Sequence, residues 1–217
     1  MSACQELQEK IQKLKNLKIE FEAIYGALPP GSNREPAKRE VLDKTNEKRD
    51  KIELLIEQIE KLLYWKVIKL GTFKTTNELR HVILGQGNEI TGWAGDIIDK
   101  ITLSQIETEI ALYVMTVKDL TGKDRATIQE IHDAIKARGG QLCPAEVGPQ
   151  LRLQYQDQSF NESLYIAMET IVGSAGSLYT FCVNANRRGS DRFLSANRAE
   201  SGNYWSGSHR FVFVYGR

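Results

Sequence analysis

Residues 163–215 read SLYIAMETIVGSAGSLYTFCVNANRRGSDRFLSANRAESGNYWSGSHRFVFVY. Four short apolar runs lie in this stretch, at 163–171, 178–186, 192–196 and 210–215. They are rich in β-branched and aromatic residues, which predicts strands. In the second run Tyr179, Phe181 and Val183 share one side. In the last, Phe211, Phe213 and Tyr215 alternate with Val212 and Val214, the period of a strand. Gly, Ser and Asn fill the gaps and no helical period interrupts them. Strands that follow one another this way, joined by loops, are expected to be antiparallel.

Working upstream, 109–117 (EIALYVMTV) predicts a further strand. Across 126–138, Ile128, Ile131, Ala134 and Ile135 make one helical face, and Gly139-Gly140 ends it as a C-cap pair. Residues 144–155 (PAEVGPQLRLQY) fit a short helix or a strand, because Gly148-Pro149 breaks the helical pattern. One strand, one or two helices and then four strands predict an α+β domain over 109–217. Residues 70–108 read as a helical connector. One helix begins near Thr76 with Leu79, Val82 and Ile83 on a face. A second covers 89–101 with Ile90, Trp93, Ala94, Ile97, Ile98 and Ile101.

Residues 1–69 differ in kind. Leu7, Ile11, Leu14, Phe21 and Tyr25 recur in steps of three and four if Lys18 fills one slot, and Ile52, Leu55, Ile59 and Leu62 do the same. The link ALPPGSNREP (27–36) stops one helix and suits the start of another. This predicts an N-terminal antiparallel helical hairpin, coiled-coil-like. Each arm is short for stability alone in water. The hairpin therefore either packs on the body or joins copies, for instance as a four-helix bundle.

The chain has 217 residues, 41% hydrophobic and 26% charged, with 29 Lys+Arg against 28 Asp+Glu. That is an ordinary globular composition, able to bury about two thirds of its unfolded surface. A net charge of +1 argues against a dedicated nucleic-acid binder. No apolar stretch is long enough to span a bilayer. The start MSACQELQEK has no secretory h-region, which predicts cytoplasmic synthesis without a signal peptide. Three scattered cysteines, Cys4, Cys143 and Cys182, indicate neither a disulfide framework nor a zinc cluster.

The net charge conceals a local bias. The segment 184–209 contains no Lys, Gln, Met, Thr, Ile or Val. Its basic residues are Arg187, Arg188, Arg192, Arg198 and His209, against Asp191 and Glu200, and the rest is mainly Asn, Ser, Gly and aromatic. Solvated loops favour Asn, Gly and Ser too. The preference for Arg over Lys and the Tyr204-Trp205 pair instead resemble a paratope. We therefore expect exposed ligand contacts at Asn184, Asn186, Arg187, Arg188, Ser190, Asp191, Ser195, Asn197, Ser201, Asn203, Tyr204, Ser206, Ser208 and His209.

Catalytic signals are sparse. There is no G-x-S-x-G, no P-loop and no G-x-G-x-x-G, and His81, His132 and His209 stand apart without ligand spacing. His132 reads as a surface or boundary residue, and Cys143 has no evident base partner. These features predict a protein that is not an enzyme, with no metal and no cofactor. The competing class is a nucleic-acid-associated protein, its Arg and aromatic residues stacking on a strand and its hairpin dimerising it. That binding would weaken steeply with salt.

The ending from Phe193 to Val214, FLSANRAESGNYWSGSHRFVFV, resembles the C-terminal variable region of diversity-generating retroelement target proteins of bacteria and phages. The likeness covers about residues 110–217. It implies a C-type lectin fold, consistent with the order of strands and helices above. It also implies that a reverse transcriptase misreads adenines in a template. Asn codons (AAC, AAT) then become almost any codon with a terminal pyrimidine, a set that includes Asn, Ser, Tyr, Asp, His, Gly, Arg, Ala, Thr and Cys but excludes Lys, Gln, Glu, Met and Trp. The tail fits, with Glu200 and Trp205 as fixed positions, and Phe193, Leu194, Trp205 and 210–214 resemble the scaffold. The disulfides and calcium ligands of secreted animal lectins are absent, so calcium-dependent sugar binding is not implied. The resemblance predicts a non-enzymatic binder of a protein or surface ligand, with a hypervariable face at 184–209 and copies joined through the N-terminal helices.

Overall fold

The computed structural model describes residues 3–26, 43–56, 64–186 and 192–215. The expectations for the 27–36 link, for Ile59 and Leu62, and for Arg187, Arg188, Ser190 and Asp191 lie outside those residues. The chain is mixed α+β and divides into two compact units, Met1–Tyr64 and Trp65–Arg217.

In the first unit, α1 spans Ala3–Gly26 and α2 covers residues 43–56. Lys48 of α2 donates to the Glu20 carboxylate of α1. Leu14, Leu17 and Phe21 are half-buried on α1, as is Ile52 on α2, while Leu55 is buried. The slot expected for Lys18 is taken by Leu17, and Lys18 is exposed. An apolar side chain one position earlier keeps the same helical stripe, since residues three and four apart share a face.

The second unit is built on a curled nine-stranded sheet. Its strands are β1 (Lys66–Leu70), β2 (Glu89–Ile90), β3 (Thr108–Thr116), β5 (Gly140–Gln141), β6 (Ser163–Ile166), β7 (Ile171–Val172), β8 (Leu178–Ala185), β9 (Arg192–Arg198) and β11 (Arg210–Tyr215). The main path runs β1-β3-β11-β6-β8-β9-β2, with β5 on β11 and β7 on β8. A separate two-stranded ribbon pairs β4 (Arg125–Thr127) with β10 (Tyr204–Ser206).

Helices cover both faces of the sheet. Helices α3 (Thr76–Gly85), α4 (Gly92–Ile98) and α7 (Val147–Gln154) share one core with Leu112, Leu164, Phe181, Leu194, Val212 and Val214. Helices α5 (Val117–Thr121) and α6 (Ile128–Ala137), with the β4–β10 ribbon, share a second core with Tyr165, Cys182, Phe211 and Phe213. The alternation of β11 is explained by this double cover: its phenylalanines enter one core and its valines the other. Thr127 and Glu130 form a capping box that starts α6, each bonding the other's backbone N–H.

Several expectations change. The strands after residue 163 are not all antiparallel, because β11 lies parallel to β6 while pairing antiparallel with β3. The chain leaves β9, crosses the second face through β10, and returns between β3 and β6, so the return runs alongside β6. Run 163–171 divides into β6 and β7. Glu89 and Ile90 form β2, parallel to β9, and do not begin a helix. Residues 66–69 are strand, and the 70–108 segment contributes Leu70, Leu79, Ile83, Ile97 and Ile98 to the first core.

At 144–155 the helical alternative holds. Pro149 lies in the first turn of α7, where its missing N–H is not needed. Gly148 permits close packing on the sheet, since a Cβ there would lie 2.7 Å from Phe181 Cβ.

Candidate ligand-binding face

The alternation of β8 and β9 decides which tail residues can meet a ligand. Tyr179, Phe181 and Val183, with Leu194 and Ala196, enter the first core. The intervening Thr180, Cys182 and Asn184, with Phe193, Ser195 and Asn197, point to the other face. Register sets Ser163 opposite Asn184, Asn184 opposite Phe193, Cys182 opposite Ser195 and Thr180 opposite Asn197.

A polar row crosses three strands on this face. The Ser163 hydroxyl donates to Asn184 Oδ1 at 2.8 Å, and Asn184 Nδ2 donates to Ser195 Oγ at 2.6 Å. The Cys182 thiol also points at Asn184 Oδ1, 3.3 Å away, and burial pushes this thiol up to about 12. Asn184 and Ser195 are thus half-buried links between strands, not the exposed contacts expected. Their side chains are short and lie mid-strand, where cross-strand hydrogen bonding competes with solvent.

The rim is formed by β10 and residues 206–209. Tyr204 is 57% exposed, with the Arg125 guanidinium 4.6 Å from its ring centroid. Ser206 and Ser208 are exposed, their hydroxyls 3.1 Å apart. Trp205, between the exposed Tyr204 and Ser206 on β10, is buried, edge-on to Tyr165 at 4.6 Å and to Phe211 at 5.2 Å. His209 is half-buried against Tyr165, and its Nδ1 is buried without a hydrogen-bond partner. Burial lowers its pKa below the usual histidine value, which favours the neutral ring. Burial likewise pushes the Tyr165 phenol up to about 12, so it remains protonated.

Beside His209 opens a polar cleft of about 520 Å³, its other wall made by 159–163. Glu162 lines it and accepts from the Tyr155 hydroxyl at 2.7 Å and from Arg210. No charge in this pair is left uncompensated.

The remaining expected residues fall elsewhere. Asn197 is half-buried on β9, and Asn186 is half-buried just beyond β8. Ser201 is exposed, and Asn203 is half-buried with Nδ2 donating to the Arg198 carbonyl at 3.0 Å. Of the expected residues, Ser208 and His209 thus line one cleft, Asn184 bonds Ser163 on its wall and Ser195 bonds Asn184, while Asn203 lies at the far end of β9.

Sequence reasoning missed Arg152, which is fully buried. It donates to Gln158 Oε1 at 2.6 Å, to the Asn184 carbonyl at 3.0 Å and to the Tyr155 carbonyl at 2.5 Å. Burial, and then the charge of Arg192, hold its pKa down to about 10, so it is still charged. It ties α7 to the end of β8 from which the tail departs. An Arg in LRLQ reads as a solvent-facing helical residue, so no local signal marks it.

His132 is buried on α6, not at the surface, because the helix packs that side against the second core. The Cys143 thiol is buried and its pKa raised by that burial. Among the described residues, no three His, Cys, Asp or Glu side chains converge as metal ligands, and no helix is long and apolar enough to cross a membrane. Compared with known proteins, the chain matches no family model, no curated protein and no solved structure.

Proposed function

We propose that this chain is a non-enzymatic binding protein: a C-type lectin-like domain that presents residues 184–209 as a ligand-binding surface. Adenine-directed mutagenic reverse transcription diversifies that surface. An antiparallel hairpin of α1 and α2 joins copies and raises avidity for a repeated protein or surface ligand.

One observation carries the reading. Every described Asn and Ser of the tail is at least partly accessible, while Ala185, Leu194, Ala196, Ala199 and Trp205 between them are buried. Apart from Asn184 and Ser195, which link strands, the accessible polar side chains of the tail are therefore largely separate from the apolar residues that hold the fold. A binding face can change its contacts without refolding when a rigid scaffold carries them. The opposed α1 and α2 contacts, Glu20 with Lys48 and the groove shared by Leu17 and Leu55, support the hairpin.

Randomising the codons of Asn197, Ser201, Ser206 and Ser208 to the adenine-derived set tests this. Most variants are expected to keep the parent melting temperature within about 3 °C, since surface changes cost about 0.5 kcal/mol or less. A library in which most variants fail to fold would overturn the proposal.

A further inference from the structure

Trp93 is the second residue of α4, and it stands out from its neighbours. Ala94, Ile97 and Ile98 are buried, yet the Trp93 ring is 52% exposed. Its ring centroid lies 5.6 Å from that of Tyr179, and the Arg198 guanidinium carbon lies 5.8 Å from the Trp93 centroid. Tyr179 and Arg198 are direct cross-strand partners on β8 and β9. Three elements therefore bring an exposed indole, a buried phenol and an exposed guanidinium together.

The arrangement is firmly held. Ser174 donates its backbone N–H to Asp96 Oδ2 at 2.6 Å and its hydroxyl to the same carboxylate, tying the 173–176 turn to α4. Lys100 pairs with Asp96 and donates to the Val172 carbonyl at 2.9 Å. A Cβ on Gly173 would lie 2.6 Å from Tyr179 Cε2, so the turn sits directly on the phenol. Asn203 bonds the Arg198 carbonyl from the other side.

What is unmet is charge. Arg198 has no carboxylate partner among the described residues, and the acid on α4, Asp96, is occupied by Ser174 and Lys100. A guanidinium stacked near an aromatic face keeps its edge free for a bidentate carboxylate. The open ring face beside it matches an apolar side chain, and Trp and Arg are the residue types that dominate interface energetics.

We propose that Trp93 and Arg198 form a recognition site for an acidic segment of a protein ligand, one that presents a carboxylate next to an apolar side chain. Trp93 lies outside the tail, so it supplies constant contact area beside the variable positions Ser201 and Asn203. An unpaired nucleic-acid strand is less suited. It calls for a track of several cations along its backbone, and here the second cation, Lys100, is already paired. The purpose given to this site rests on the binding-protein reading above, but its chemistry can be measured without any retroelement.

The probe is the pentapeptide acetyl-Glu-Phe-Glu-Phe-Glu-amide, with its Lys-for-Glu counterpart and a thymidine pentanucleotide as comparisons. Each is titrated into the full chain while the indole N–H signals of Trp65, Trp93 and Trp205 are followed by NMR. The acidic peptide is expected to shift the Trp93 signal saturably and leave Trp205 in place. Arg198→Gln is expected to weaken that binding at least tenfold and Arg198→Lys to restore part of it. Absence of a saturable Trp93 shift, an equal response to the lysine peptide, tighter binding of the oligonucleotide, or undiminished affinity in Arg198→Gln would overturn the proposal. Tail randomisation that destroys folding would overturn the binding-protein reading and leave this titration unchanged.

Discussion

Asn184 shows how a tail side chain can serve the fold itself. It accepts from Ser163 and donates to Ser195, so truncating it leaves two hydroxyls short of a partner on a half-buried face. Asn184→Ala is expected to cost about 1–3 kcal/mol in a denaturant midpoint. Asn197→Ala is expected to cost no more than about 0.5 kcal/mol in the same assay. Equal costs at the two sites would show that the polar row does not stabilise the sheet.

Two histidines, His132 buried and His209 half-buried, add a pH dependence. His132 and His209 both have pKa values lowered by burial from the ordinary 6.5. The unfolded chain therefore binds protons more readily than the folded chain. Their contribution to stability is intact above about pH 6.5 and is lost as pH falls below it. A His132→Gln, His209→Gln double variant should lose less melting temperature between pH 7 and 5.5 than the parent. An identical pH profile would contradict this assignment.

Among the elements, those with a full local pattern were legible. Strands β3, β8 and β11 and helix α6 follow from period two or from the 3.6 period, and their faces enter the cores as the patterns require. What was not legible depended on distant partners. The two-residue strands β2, β5 and β7 exist only because a longer strand lies beside them. The parallel β6–β11 pair depends on the path of 199–209, which no local period encodes. Gly148 was read as a helix breaker, but its role is contact. Gly148→Ala should gain up to about 1 kcal/mol in helix propensity, yet the new Cβ would meet Phe181 at 2.7 Å. Overpacking of about 1–3 kcal/mol wins, so the variant should be less stable in thermal unfolding. A stabilised variant would show that α7 can withdraw from the sheet.

At the scale of the whole molecule, the division into a Lys- and Glu-rich helical unit and a sheet unit follows the uneven charge of the chain. The candidate face was legible as composition, because a tail without Lys or Gln differs from the rest before any fold is known. Its partners outside the tail were not, because Trp93, Arg125 and Tyr165 reach it only through sheet register and helix packing. If α1 and α2 join copies, the full chain should sediment as an oligomer, and Leu55→Asp should shift it toward monomer. A parent chain that is already monomeric at tens of micromolar would remove that role.

The most direct measurement is the sequence of the DNA flanking the gene. The account predicts a near-copy of the codons for residues 184–209, next to a reverse transcriptase gene, with mismatches confined to adenines of the copy and falling on the accessible positions. No such copy, or mismatches spread evenly over the four bases, would contradict the claim that this surface is diversified.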